Sequence, residues 1–197
     1  MHPPIAMWVL LCVASYGGKA IFAWQPSDTL ELPFGKNDRL PSPDGRYALF
    51  GRALNETKSG APELWIEEPS LSKRVRLLEL GGTARAAWSP DRTAFYVNDR
   101  WPSDAERSYL YDAASLDRTD LGKVILASDE RAARLATGHT YIGVEQWKDS
   151  HTVLVRLHGH TDKPPVVCFD LRYEVDRNGS VKKLAEHIAP VTDKGCD

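Results

Sequence analysis

Residues 40 to 50 read LPSPDGRYALF and residues 87 to 97 read AWSPDRTAFYV, the same punctuated strand written twice, 47 residues apart. In the first copy Pro43 sets φ near −65° at the second position of a turn, Asp44 accepts from nearby backbone, and Gly45 takes positive φ without a Cβ clash. The strand that follows is apolar on both parities, Tyr47 and Leu49 against Ala48 and Phe50. Such a strand is covered on both faces. The second copy predicts the same, with TAFYV as the strand and Arg92 where the glycine stood, so its turn is made at some conformational cost.

The likeness continues past the strands. Leu64-Trp65-Ile66 corresponds to Leu110-Tyr111-Asp112, and strand-like stretches, RVRLLEL and DRTDLGKV, follow each. A third, more eroded copy aligns QWKDSHTVLVRL with the second through Trp147 and Trp88, and continues through Cys168-Phe169-Asp170 to an Asn178-Gly179 turn. Three units of roughly 45 to 60 residues with four strands each have the period of propeller blades. The expected fold is all-β, about three four-stranded antiparallel sheets in a small propeller-like repeat array, with units near 38–84, 85–135 and 136–185. The competing explanation is chance, because Ser-Pro-Asp-Gly is a common turn. DERAARLA, 129–136, reads as a short helix or turn between the second and third units, and Ser103 to Arg107 as a weak helical segment.

The 197 residues, 42% hydrophobic and 26% charged, suit one globular domain with its own core. With a net charge of −2 and no basic run, nothing prepares the chain to neutralise a phosphate backbone, and nucleic acid is not expected as a partner. Residues 1–20 read as a secretory signal peptide, because the apolar run from Ile5 to Ala14 is too short to span a bilayer. Stable membrane insertion is therefore not expected. Small residues at Gly18-Lys19-Ala20 suit a signal peptidase, and Leu11 before Cys12 does not suit lipidation. A buried N-terminal strand or helix is the other reading. Cleavage leaves Cys168 and Cys196, an even number in a periplasmic or secreted setting where a bridge between them would persist. The alternative is two free thiols, one in the core and one in the tail.

The stretches LPSPDGRYALFG and AWSPDRTAFYVND resemble the W-S-P-D-G repeats of TolB-like β-propellers. The resemblance implies blade geometry rather than chemistry, and the chain has no G-x-S-x-G nucleophile elbow. Its size, address and architecture are also similar to periplasmic immunity proteins against type VI secretion amidase effectors. That similarity implies a non-enzymatic inhibitor of a peptidoglycan amidase. A TolB-like envelope scaffold is the first alternative, and a small exported hydrolase or sugar-binding protein the second.

Equivalent blades place equivalent loops on one rim: RALNETKSGAPE, NDRWPSDAERS and LHGHTDKPP. In the second, Trp101 is a rigid aromatic of the kind that dominates interface energetics, flanked by Ser103, Asp104, Glu106 and Arg107. These five are the expected partner-binding residues. Trp101 folded back onto its own blade is the alternative. His158, His160 and Asp162 invite a metal reading, with His139 or His151 as a further ligand, but Gly159 and the following Thr-Asp-Lys-Pro-Pro argue for a loop, and no metal is expected. No cofactor is expected either. Glu67 and Glu68 fall on opposite faces of a strand and make a poor acid and base pair. An array of three units leaves sheet edges, which Leu30 to Phe34 or a homodimer would cover.

Overall fold

The computed structural model describes residues 29–31, 39–57, 60–101, 105–191 and 196. The signal-peptide segment lies outside these residues, as do Ser103 and Asp104. The fold is all-β. The first unit is a four-stranded antiparallel sheet of β2 (Arg39–Pro41), β3 (Ala48–Arg52), β4 (Glu63–Glu68) and β5 (Lys73–Glu79), in that order. The second runs β6 (Thr83–Trp88), β7 (Ala94–Arg100), β8 (Ala105–Asp112) and β9 (Arg118–Asp120). The third runs β10 (Thr140–Trp147), β11 (Thr152–His160), β12 (Val167–Asp176) and β13 (Val181–Pro190). Units two and three are not separate sheets. A short parallel pairing of Thr140 with Ala105 and Tyr141 with Glu106 joins β10 to β8, and β1 (Thr29–Glu31) adds to β6.

The repeated turns are the same object atom for atom. Ser42 Oγ donates to Asp44 Oδ1 at 2.6 Å and accepts from Tyr47 N at 2.9 Å; Ser89 Oγ donates to Asp91 Oδ1 at 2.6 Å and accepts from Ala94 N at 3.0 Å. Gly45 has φ +71° and Arg92 has φ +69°. The left-handed backbone is therefore kept where glycine is not, at roughly 1 to 2 kcal/mol for a residue with a Cβ. The eroded third turn keeps an aspartate, Asp149, which accepts from His151 N and Thr152 N at 2.8 Å.

A tryptophan ties the second and the third unit each to the one before it. Trp88 Nε1 donates to Leu40 O at 3.2 Å, and Trp147 Nε1 donates to Ala87 O at 3.4 Å. Leu40 and Ala87 hold the same position in the repeat, two residues before the turn serine. Arg177 adds a second tie, from the β12–β13 turn to Thr93 Oγ1 at 2.6 Å and Asp112 Oδ2 at 2.9 Å.

β7 explains why both parities of its sequence are apolar. Phe95 and Val97 enter a core shared with Leu49, Leu64 and Ile66 of the first unit, while Tyr96 enters a core shared with Val153, Val155 and Tyr173 of the third. The first unit differs. Leu49 is fully buried, whereas Phe50 on the outer face stacks with Trp65 under the guanidinium groups of Arg39 and Arg74.

Two local expectations are corrected, at DRTDLGKV and within 103–107. DRTDLGKV is a strand only as far as Asp120, whose carboxylate accepts from Lys123 N at 3.1 Å and starts helix α1 (Leu121–Ser128). Leu121 and Ile125 bury one face of that helix, so the apolar residues of GKVILA serve a period of 3.6 rather than 2. Within 103–107, residues Ala105 to Arg107 are strand, held by pairing with β7. Of the edge cover expected over Leu30 to Phe34, Leu30 and Glu31 pair with β6 and the rest lies outside the described residues. DERAARLA does give a helix, α2 (Glu130–Leu135), capped by Asp129 through Arg131 N and Ala132 N.

Candidate functional site: the cavity where the second and third units join

The far ends of β7 and β8 form a hairpin whose two faces carry different chemistry. Alternation sends Asp99, Trp101 and Arg107 to one face and Asn98, Arg100 and Glu106 to the other. The five expected partner-binding residues are thus divided. Trp101 and Arg107 come together, with the guanidinium 5.4 Å from the indole centroid; Glu106 faces away from them; Ser103 and Asp104 lie outside the described residues.

Trp101 is tied to its own unit. Its Nε1 donates to Asp99 Oδ2 at 3.3 Å, and its ring lies against Gly81, where a Cβ would run into it. Asp99 also accepts from Gly81 N at 3.0 Å, and burial pushes its carboxyl above the usual carboxylate range. Trp101 as a whole is still 44% exposed, so one residue serves as a cap and keeps area for contact.

On the opposite face lies a cavity of about 500 Å³, lined among others by Arg85, Arg100, Glu106, Gly143, Arg156 and His158. It sits where β8 hands over to β10. The parallel pairing ends at Tyr141, and beyond it the strands are bridged by side chains. Asn98 Nδ2 donates to Val144 O at 2.9 Å and Asn98 Oδ1 accepts from Val144 N at 3.0 Å, so the amide occupies the place of a neighbouring strand. Ser108 Oγ donates to Asn98 Oδ1 and Ile142 O. The strands splay there, and the cavity opens in the splay.

Glu106 is the cavity's unusual group. Burial pushes its carboxyl above the normal range against the opposing fields of Arg100 and Arg85, and among the described residues it forms no hydrogen bond and no ion pair. Arg100 likewise forms none, resting its guanidinium 5.9 Å from the Tyr141 ring centroid. Gly143 gives the carboxyl its room, because a Cβ there would stand 3.1 Å from Glu106 Oε1. His158 stacks on Tyr141, and its buried Nδ1 has no partner among the described residues. Burial, with Arg156 nearby, pushes this imidazole below the ordinary histidine range. Arg156 is held bidentate by Asp170, Nε at 3.1 Å and a terminal nitrogen at 2.8 Å.

The residues considered for metal do gather in part. His139 stacks on His160 at 4.6 Å, and Asp162 Oδ1 lies 3.9 Å from His160 Nδ1. Among the described residues no group of three or more such side chains is arranged to hold a metal ion. His160 belongs to β11 rather than to a loop. Glu67 binds Arg39 and Arg74 and is thereby occupied. Cys168 and Cys196 form a disulfide, with Cα atoms 5.4 Å apart. Sequence reasoning missed Asn98, Arg100, Gly143 and His158 as one site because they come from β7, β10 and β11. Only the parallel pairing of β8 with β10, which no local pattern announces, brings them together.

No known protein family and no curated protein matches the chain. Solved structures that are similar to it in part include two β-propeller-type chains. The β-propeller domain of the Trilobed protease from Pyrococcus furiosus, with an open velcro topology, is 16% identical at a TM-score of 0.48 over 79% of this chain and 44% of that one. TolB from Acinetobacter baumannii is 15% identical at a TM-score of 0.33 over 79% of this chain and 43% of that one. The chain thus spans less than half the length of either.

Proposed function

We propose that the protein is an exported binding module that holds another protein at the β7–β8 hairpin, seating a polar segment of its partner in the cavity behind it. The observation that carries this reading is the pair Glu106 and Arg100. Two ionisable groups stand in one cavity without hydrogen-bond or ion-pair partners among the described residues, and a ligand would complete them. Trp101 and Arg107 on the hairpin's other face supply an aromatic contact beside it. The disulfide supports an oxidising compartment, as export through the N-terminal segment would provide.

The concrete form of this module is a non-enzymatic inhibitor of a peptidoglycan amidase, in the manner of an immunity protein; a TolB-like envelope scaffold would bind at the same place without inhibiting. Capture from periplasmic extract and from co-expressed neighbouring genes tests it. An inhibitor retains a cell-wall hydrolase whose activity falls on binding. Replacing Trp101 with Ala is expected to weaken that complex by about 2 kcal/mol while the protein stays folded. Capture of envelope components with unchanged activity would select the scaffold form, and capture of nothing would overturn the reading.

One observation favours a second reading, a small exported hydrolase or sugar-binding protein. Glu106 has the raised carboxyl of a general acid, in a cavity with convergent polar groups. Turnover of muropeptides or glycosides that disappears in Glu106→Gln would establish it.

A further inference from the structure

Resting on the protein-binding reading, we propose that the cavity is a carboxylate receptor, in which Arg100 and Glu106 together grip a carboxylate of the partner, supplied by its chain end or by an acidic side chain. Several polar groups in and around the cavity are already committed. Arg156 is held by Asp170, Glu145 lies 3.7 Å from Arg172, and the Asn98 amide is spent on Val144. Glu31 from β1, Arg85 from β6, Arg100 from β7 and His158 from β11 line the cavity with Glu106, and of the two arginines Arg100 is the one without a hydrogen bond or ion pair among the described residues.

A cationic ligand would meet both Arg85 and Arg100. An apolar one would strip water from Glu106 and from the partnerless Nδ1 of His158 without replacing it, at the cost of an unsatisfied polar group. An anion suits what remains. The Arg100 guanidinium offers two parallel N–H donors in the geometry a carboxylate accepts. Burial biases Glu106 toward its protonated form, and a protonated carboxyl is a hydrogen-bond donor. The seated carboxylate would accept from both. Gly143 leaves the space, and any side chain there would press on the Glu106 carboxyl.

Binding of this kind takes up a proton at Glu106 in the fraction of molecules where it is ionised. Affinity therefore rises as pH falls through the Glu106 range and declines above it, until the ligand's own carboxylate protonates near pH 4. His158 faces the same cavity, and burial, with Arg156 nearby, biases its imidazole toward the neutral form.

The test is a titration of the isotope-labelled protein, followed by backbone amide shifts, with four probes: N-acetyl-dialanine as the free acid, the same peptide as its C-terminal amide, N-acetyl-aspartate methylamide, and inorganic phosphate. The acids should shift the amides around Arg100, Glu106 and Gly143 and bind more tightly at pH 5.5 than at pH 7.5. Preference for dialanine identifies a chain end, and preference for the aspartate derivative identifies a side chain. Arg100→Gln should abolish binding, while Glu106→Gln, which keeps a donor, should retain binding and lose the pH dependence. Equal binding of amide and acid, equal binding of phosphate, or no shift in the cavity with any probe overturns the carboxylate assignment. A captured partner that still protects the cavity would then leave the protein-binding reading standing.

Discussion

At the scale of single residues, Asn98 does what a whole strand would otherwise do. Its amide satisfies both Val144 N–H and Val144 C=O in a buried setting, and Ser108 closes the network through Ile142 O. Removing it leaves the buried Val144 N–H and C=O without their partner, so Asn98→Ala should cost about 1 to 3 kcal/mol, read as a shift in denaturant midpoint at unchanged slope. A loss below about 1 kcal/mol would mean the splay relaxes and that the cavity wall is soft. Trp88 is the second residue of this kind. It is buried against Phe95 and Tyr47 and donates to Leu40 O across the boundary between units, so Trp88→Ala should cost about 3 to 5 kcal/mol. In the sequence Trp88 and Trp147 were visible as a repeat mark. Their role as ties was not, because the acceptor carbonyls lie 48 and 60 residues away.

At the scale of elements, the turns were readable and the second unit's end was not. Ser-Pro-Asp-Gly encodes its own hydrogen bonds within six residues, which is why local chemistry sufficed there. The stretch after Thr119 carries apolar residues that fit a strand or a helix, and the Asp120 cap decides between them only once Leu121 and Ile125 have a core to enter. The α2 cap is stronger. Asp129 accepts from two backbone N–H groups and from Tyr173 Oη at 2.9 Å, and pairs with Lys183 Nζ at 2.6 Å. Burial pushes its carboxyl up, and these partners, Lys183 foremost, override that and hold it at about 2. The folded value lies below the unfolded one near 3.9, so the stability it confers is present above pH 4 and is lost as pH falls from there toward 2. The difference in stability between the native protein and Asp129→Asn should therefore shrink between pH 5 and pH 2 in urea titrations. A difference independent of pH would show that the cap acts through shape alone.

At the scale of the whole molecule, three units cohere through ties of different kinds: tryptophan to carbonyl, Arg177 to the loops of the second unit, a parallel pairing, and a disulfide that pins residue 196 to β12. The disulfide closes a loop of 28 residues, and its reduction should lower stability by about 3 to 4 kcal/mol on the chain-entropy account, measured with Cys196→Ser as well as with reductant. The all-β class and the threefold repetition were legible because strand period and turn chemistry are local. The cavity was not, because it depends on β8 meeting β10 across the intervening helices. At that junction a partner protein is proposed to bind. Hydrogen exchange of the protein alone and with its captured partner tests this most directly. Binding there should slow exchange at 83–85, 98–101, 105–107, 141–145 and 156–158; protection confined instead to β5 or to the outer strand β13 would contradict it.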